Sequence, residues 1–139
     1  MKRYEFAEHT ADIIVRGYGD TLENAFAAAG EGMFALITDR APIAAKTTIT
    51  VSAESIDLEA LLITFLSNLI LVFEIDGLVL CDLEVTLEGL TKLRATGRGE
   101  AFDRDKHGHG IVVKGASYHM INISRPETGE CSVQVLLDI

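Results

Sequence analysis

The sequence is poor in cysteine, and the two that it has form no recognisable pair. Cys81 and Cys131 lie 50 residues apart, in no CxxC arrangement. Two such residues cannot build a disulfide framework, and their spacing carries no zinc signature. Each lies in a strand-like apolar run, where cysteine behaves as a small hydrophobic residue. A reducing compartment is the simplest setting, and we expect a cytoplasmic protein.

The sequence also has no long uninterrupted apolar run. Its most apolar stretch, residues 61–73, is broken by Thr64, Ser67 and Asn68. It is shorter than the ~20 residues of a membrane-spanning helix and is more typical of a buried helix. The first ten residues turn polar after Lys2 and Arg3 and offer no apolar segment of a signal peptide. We therefore predict no membrane partner.

Basic residues are scarce as well. Lys and Arg number 12 against 21 Asp and Glu, which gives a formal net charge of −9. Such a chain is repelled by a phosphate backbone unless its basic residues cluster. The balance favours binding to a cation or a basic protein surface and argues against direct, sequence-specific binding to nucleic acid.

The 139 residues and a hydrophobic fraction of 48% are sufficient for one domain, residues 1–139, with a real core. No repeat or linker is visible. Alternating polar and apolar residues predict strands, and the 3.6-residue period predicts two helices. The predicted order, β-β-α-β-α-β-β-β-β, indicates an α+β fold with mostly antiparallel or mixed strands packed on two α-helices. The predicted strands are residues 4–9, 13–18, 48–53, 83–88, 92–101, 111–124 and 131–137.

Capping residues and apolar stripes define the two helices. Asp20 is placed to cap the first helix, with Glu23 three residues later as in a capping box. One stripe of this helix is apolar: Leu22, Phe26, Ala29, Met33 and Leu36. Asp57 can cap the second helix, residues 58–74, which is apolar nearly all round. We therefore expect the second helix to lie between two layers.

Carboxylates near the two ends of the chain form the first candidate site. Asp12 follows His9 in a polar segment between two strands, and Asp138 and the carboxylate of Ile139 close the last strand. Three carboxylates would make an oxygen site suited to calcium, magnesium or manganese, and a nitrogen from His9 would favour manganese or zinc. The site requires the first and last strands to be neighbours. Alternatively, Asp12 caps a turn and the C-terminus is merely solvated.

Lys114 and His119 form a second candidate, within a strand-like run. Lys and His close together could polarise a phosphate or orient a metal ligand. A strand with polar residues on its solvent-exposed side is the alternative. Since no nucleophile–base–acid arrangement is visible, no catalytic residues are predicted.

Two further polar segments are ambiguous. In residues 103–110, alternate Asp103, Asp105, His107 and His109 could form a metal-binding loop or a mobile polar loop. Lys92, Arg94 and Arg98 line one strand face and could contact RNA or an acidic partner, or form an ordinary solvated face. No aromatic residue stands beside them to stack on bases.

Several segments, in order along nearly the whole chain, resemble the archease family. They are Glu8-His9-Thr10-Ala11-Asp12-Ile13, Arg16-Gly17-Tyr18-Gly19, Gly32-Met33-Phe34, residues 69–73, Gly77-Leu78-Val79, residues 113–119 and the final Asp138-Ile139. The His-Thr-Ala-Asp box together with a terminal Asp-Ile carries most of the resemblance. Gly115 and Ser117 depart from the residues expected there.

The resemblance implies an accessory protein, not an enzyme. By this resemblance the protein would be a helper of the GTP- and manganese-dependent ligase that joins tRNA exon halves. It would promote the guanylylation and the multiple turnover of that ligase. The family's metal ligands would be Asp12, Asp138 and a main-chain or terminal oxygen of Ile139, with His9, Lys114 and His119 as supporting candidates. Calcium is the preferred cofactor, with manganese or magnesium as alternatives. A chaperone of a tRNA methyltransferase and a metal-dependent phosphoesterase are the rival functions.

Overall fold

The computed structural model describes residues 1–9, 11–39, 42–108 and 110–139, and for His9 only the backbone. Seven strands and three α-helices follow one another in these residues, and a one-turn π-helix, Val72–Asp76, extends the second helix. In chain order they are β1 (Lys2–His9), β2 (Asp12–Gly19), α1 (Leu22–Ile37), β3 (Thr47–Glu54), α2 (Leu58–Leu71), β4 (Leu78–Glu88), β5 (Lys92–Ala101), α3 (Arg104–His107), β6 (Gly115–Ser124) and β7 (Cys131–Asp138).

The strands form two antiparallel sheets. Sheet A has the order β1-β2-β7-β6, and sheet B has the order β3-β5-β4. The helix α1 packs on β1, β2 and β7 of sheet A and on β4 of sheet B, while α2 packs on β6 and β3. The predicted α+β fold is confirmed, and α2 lies between two layers as expected. The short α3 and the strand order were not predicted.

The apolar stripes of the helices form the core. Leu22, Phe26, Ala29, Met33 and Leu36 of α1 are all buried, as the period predicted. Phe65 of α2 stacks on Phe26, with ring centroids 6.4 Å apart. Gly17 of β2 allows α1 to approach, because a Cβ at this position would lie 2.2 Å from the Ala25 carbonyl oxygen.

One of the two predicted helix caps is wrong. Thr21, not Asp20, caps α1, and its Oγ1 accepts a hydrogen bond from the Asn24 N–H at 3.1 Å. Asp20 lies one residue too early and instead contacts the N-terminal amine at 2.8 Å. Asp57 caps α2 as predicted, accepting from the Ala60 N–H at 2.8 Å.

The stretch Leu58–Asp76 is long and apolar enough to cross a membrane by length and composition alone, with a mean hydropathy of 2.0. Core helices of globular domains can meet the same criterion. Here 44% of the most apolar window is buried inside the domain, against both sheets. The absence of a membrane partner stays a prediction.

Candidate functional site

The pairing of β2 with β7 brings Asp12 and Asp138 together. These strands run antiparallel with Asp12 directly opposite Asp138. The register is set by apolar residues, since Val15 opposite Val135 is fully buried and a slip of one residue would expose that face. Opposite residues on neighbouring antiparallel strands have side chains on the same face, with Cα atoms about 4.5–5.5 Å apart. The two carboxyl groups therefore lie side by side.

This pair lies in a row that crosses all four strands of sheet A. The His9 backbone is opposite Asp12, and Gly115 is opposite Asp138. The Asp138 side chain reaches toward β6, because a Cβ at Gly115 would lie 3.8 Å from its Oδ2. We call this row and the adjoining Ile139 the carboxylate end. The His9 side chain lies outside what the structure describes.

The carboxylate end is open to solvent and holds like charges. Asp138 and Ile139 are exposed and Asp12 is partly exposed. Like charges directly opposite one another across a pair of strands are destabilising, and a bound cation would offset that repulsion. Oxygen donors of this kind suit hard divalent cations. Among the described residues, no group of three His, Cys, Asp or Glu side chains could hold a metal ion. Main-chain or terminal oxygens, such as those of Ile139, would add to these two carboxylates in a ligand set.

The structure places Lys114 beside this end and His119 within β6. The Lys114 N–H donates to the Asp138 carbonyl at 2.7 Å, and its side chain is exposed. The predicted strand of residues 111–124 begins only at Gly115, so Lys114 immediately precedes β6. His119 is exposed in an irregular part of β6, where its N–H donates to the Ser117 Oγ at 3.1 Å.

A second cluster of charges surrounds Glu100, which is only 6% exposed. Its carboxylate accepts hydrogen bonds from the Ala44 N–H at 2.6 Å and the Lys106 Nζ at 2.9 Å, and the His107 Nε2 lies at 3.0 Å. These donors, the Ala44 N–H foremost and then Lys106 and His107, lower the pKa of Glu100 to about 2. We call these residues the Glu100 cluster.

His107 is fully buried at the centre of this cluster. Its Nδ1 accepts from the Asp103 N–H at 2.9 Å, so its Nε2 carries the proton that faces Glu100. Its ring stacks on Phe102 with centroids 5.6 Å apart. Both nitrogens are thus engaged, which makes the metal-loop interpretation wrong for His107. The mobile-loop alternative is also wrong for Arg104–His107, which form α3 with Asp103 as the cap. His109 lies outside the described residues.

Sequence reasoning missed the Glu100 cluster. In the sequence Glu100 follows the regular alternation of β5, between Gly99 and Ala101. Its burial beside the buried Gly99 is visible only in the structure, so no local pattern signalled it.

The basic residues of β5 contact acidic neighbours. Lys92 lies 3.5 Å from Glu54, Arg94 lies 3.8 Å from Glu88, and Arg98 contacts Asp82 at 2.7 Å. The last contact, with Glu84 nearby, raises the pKa of Arg98. These charge pairs are typical of an ordinary solvated face, one of the two alternatives considered for Lys92, Arg94 and Arg98.

The chain matches the Archease protein family (MTH1598/TM1083) over residues 4–139. It is 42% identical to the protein archease of Pyrococcus furiosus, with 100% of both chains covered. It is 34% identical to that of Danio rerio, covering 99% of this chain and 86% of the relative.

Two solved structures share the fold. The solution structure of Methanobacterium thermoautotrophicum protein 1598 has a TM-score of 0.70 at 25% identity, with 98% of each chain covered. A Thermotoga maritima protein, described as an archease and possible chaperone, has a TM-score of 0.62 at 20% identity and covers 96% of this chain and 94% of its own. The sequence matches extend over β2 and β7, which carry Asp12 and Asp138, and over the Glu100 cluster. On the evidence of these matches, the chain belongs to the archease family.

Proposed function

We propose that this protein is a metal-binding accessory factor that activates the GTP-dependent tRNA-splicing RNA ligase by promoting its guanylylation and multiple turnover. One observation carries the proposal: Asp12 is directly opposite Asp138 beside the exposed Ile139. These are the residues that resemblance to the family assigns to a metal, and they come from opposite ends of the chain. The proposed site of action is the cytoplasm.

The donors at the carboxylate end fit a divalent cation. Asp12, Asp138 and an oxygen of Ile139 would hold it, and Lys114 would flank it through its N–H bond to the Asp138 carbonyl at 2.7 Å. Calcium suits this all-oxygen set, and manganese or magnesium are the alternatives. A bound divalent cation would offset the repulsion between the facing carboxylates, and the chain as a whole would stay acidic, with a net charge of −9 + 2 = −7. The chain's own contribution is to hold both carboxylates at the end of a rigid sheet.

Activation also requires a preference among states of the ligase. An effector shifts an equilibrium only by as much as it binds one state better than another. The acidic end of this protein would favour the ligase state whose nucleotide pocket exposes its cations. This preference makes guanylylation, rather than the joining of RNA ends, the step to measure.

The decisive test is ligase guanylylation with GTP and manganese under multiple-turnover conditions. Wild type, Asp12→Asn and Asp138→Asn would be compared with Asp76→Asn, which makes the same change at an exposed aspartate remote in sequence. We expect wild type and Asp76→Asn to stimulate turnover equally. Each of the other two variants should lose about 10-fold or more, as metal-site substitutions typically do. Circular dichroism would verify folding.

A folded wild-type protein that fails to stimulate its cognate ligase would rule the proposal out. The result would then favour the second candidate, a chaperone of a tRNA methyltransferase or another nucleic-acid-processing enzyme. The Thermotoga maritima relative, described as a possible chaperone, supports that candidate. A chaperone role predicts that Asp12→Asn leaves partner binding and partner stability intact.

The phosphoesterase alternative has a separate test. It would use Asp12, Asp138, His9 and His119, and of these His119 lies in the irregular part of β6. Turnover of a phosphoester by the purified protein alone, abolished in Asp12→Asn, would revive it.

A further inference from the structure

Sheet A carries a small apolar layer on the face turned away from α1. The Gly17 side of β2 faces α1, so alternate residues such as Ile14 point to the other side. Ile14 lies opposite Leu136, and each is 4% exposed although neither belongs to the main core cluster. This outer layer lies two residues along each strand from Asp12 and Asp138, on the same face of the sheet.

The strand β6 is irregular next to this layer. Ser117 is opposite Leu136, whereas Asn122 is opposite Gln134, so five residue steps in β6 (122 − 117) span two in β7 (136 − 134). The four residues between these positions, 118–121, lie opposite the single residue Val135 and form what we call the β6 bulge. Gln134 holds the bulge through its Nε2, which donates to the Met120 carbonyl at 2.8 Å. Since Gln134 shares the outer face with Leu136, the bulge is drawn toward that face.

The bulge combines an unusual backbone conformation with exposed apolar side chains. Met120 has a φ of 62°, in the left-handed region that L-residues rarely adopt and that glycine adopts without a penalty. Met120 is 42% exposed and Tyr118 is 56% exposed. Backbone strain of this kind clusters at functional sites.

Other exposed apolar residues flank the carboxylate end. Ser117, which precedes the bulge, is opposite a residue two positions from Asp138, about 7 Å along the strand. Val112 lies two residues before Lys114, and Ile139 adjoins Asp138. Four of the ten exposed large hydrophobic residues in the described part of the chain belong to this region. We call them the apolar rim: Val112, Tyr118, Met120 and Ile139.

We infer that the apolar rim is a docking surface for the cation-bearing cleft of a partner enzyme, with the carboxylate end entering the cleft. The inference rests on the proposed function and names the surface through which it would act. Charge complementarity selects the partner, because Asp12 and Asp138 lie beside the rim in a chain of net charge −9. A second copy of this chain would bring like charges face to face, and RNA would be repelled. A basic or metal-lined cleft would be attracted, and the rim would pack around its mouth.

If the apolar rim binds the partner and the carboxylates activate it, two kinds of defect are expected. Removal of a rim side chain should weaken docking while the carboxylates still work at saturation. Removal of a carboxylate should lower the maximal stimulation. Tyr118 and Met120 are the side chains to change, because exposed aromatic residues and methionine are enriched in protein interfaces.

The experiment measures the affinity of the tRNA-splicing RNA ligase for wild type, Met120→Gly and Tyr118→Ala by calorimetry, with guanylylation at saturating protein as a second readout. Leu90→Ala is the matched control, since Leu90 is 46% exposed at the turn between β4 and β5 of sheet B. We expect the Kd to rise at least about 10-fold in both rim variants and to stay unchanged in Leu90→Ala. Maximal stimulation should be retained in all three.

Met120→Gly separates docking from misfolding. Glycine suits the φ of 62°, so the melting temperature should stay the same or rise while affinity falls. Wild-type affinity in both rim variants would overturn the docking surface and leave the proposed function standing. Ligase binding that depends on the rim but produces no stimulation would sustain the docking surface and remove the proposed function. Wild type that binds no ligase, or that dimerises through the rim, would overturn the inference.

Discussion

The carboxylate end and the Glu100 cluster both concentrate acidic groups, but they differ in how far those groups are buried. Glu100 is enclosed by an N–H group, a lysine and a histidine of its own chain. Asp138 is exposed and lies opposite another carboxylate. A carboxylate enclosed by donors of its own chain stabilises the fold. The difference indicates a structural role for Glu100, whereas cation binding at the exposed pair is the proposal that the experiments below test.

The two regions are connected by one stretch of chain. Residues 102–114 run from the Glu100 cluster to Lys114, and hydrogen bonds fasten them along the way. The Ile111 N–H donates to the Leu36 carbonyl at 2.9 Å, at the end of α1. Gly110 passes so close that a Cβ there would lie 2.0 Å from the Leu36 oxygen. The Glu100 cluster therefore holds one end of the segment whose other end places Lys114 next to Asp138.

The largest expected effect comes from removal of this anchor. His107→Ala would leave a cavity at a fully buried position and remove one of the donors to Glu100. We expect a loss of about 3 kcal/mol in the free energy of unfolding. Urea denaturation would measure it. Asp105→Ala, which changes an exposed residue of the same helix, should cost much less. Equal losses in the two variants would show that the cluster is not an anchor.

An intermediate effect is expected from divalent cations at the carboxylate end. Calcium or manganese at 100-fold over its Kd would stabilise the wild type by about 2.7 kcal/mol, because only the folded chain brings the ligands together. Thermal unfolding with and without the cation would measure this. Asp138→Asn should abolish the response and, without cation, be slightly more stable than wild type because one of two facing charges is gone. His107→Ala, if folded, should still respond. A full response in Asp138→Asn would exclude this metal site.

The clearest dependence on pH concerns Glu100. Its pKa falls from an ordinary 4.5 to about 2 on folding, so its ionised form stabilises the fold above pH 4.5. That contribution is lost as the pH drops from about 4.5 to about 2. Glu100→Gln should therefore melt below wild type at pH 7 and approach it at pH 2. Melting curves across this range would test the prediction. Glu54→Gln removes an exposed partner of Lys92, and should scarcely change stability.

Local patterns were sufficient to predict much of the fold. The apolar stripe of α1 is buried at every predicted position, and Asp57 caps α2. The N-cap of α1 was misplaced by one residue because Asp20 and Thr21 are both capable of capping. The early part of the strand predicted at residues 111–124 is wrong. Its apolar residues satisfy tertiary contacts instead, and Val113 is buried without strand pairing.

The sequence by itself determined most of the secondary elements and the α+β class, because period and caps are local properties, and its resemblance to a family indicated Asp12, Asp138 and Ile139 as candidate ligands. Only the tertiary structure decided that β2 pairs with β7 and so brings Asp12 opposite Asp138. It also decided that His107 turns inward to Glu100 rather than outward to a metal. These outcomes depend on contacts between residues distant in the chain, and such contacts are set by how the buried faces of the whole domain fit together.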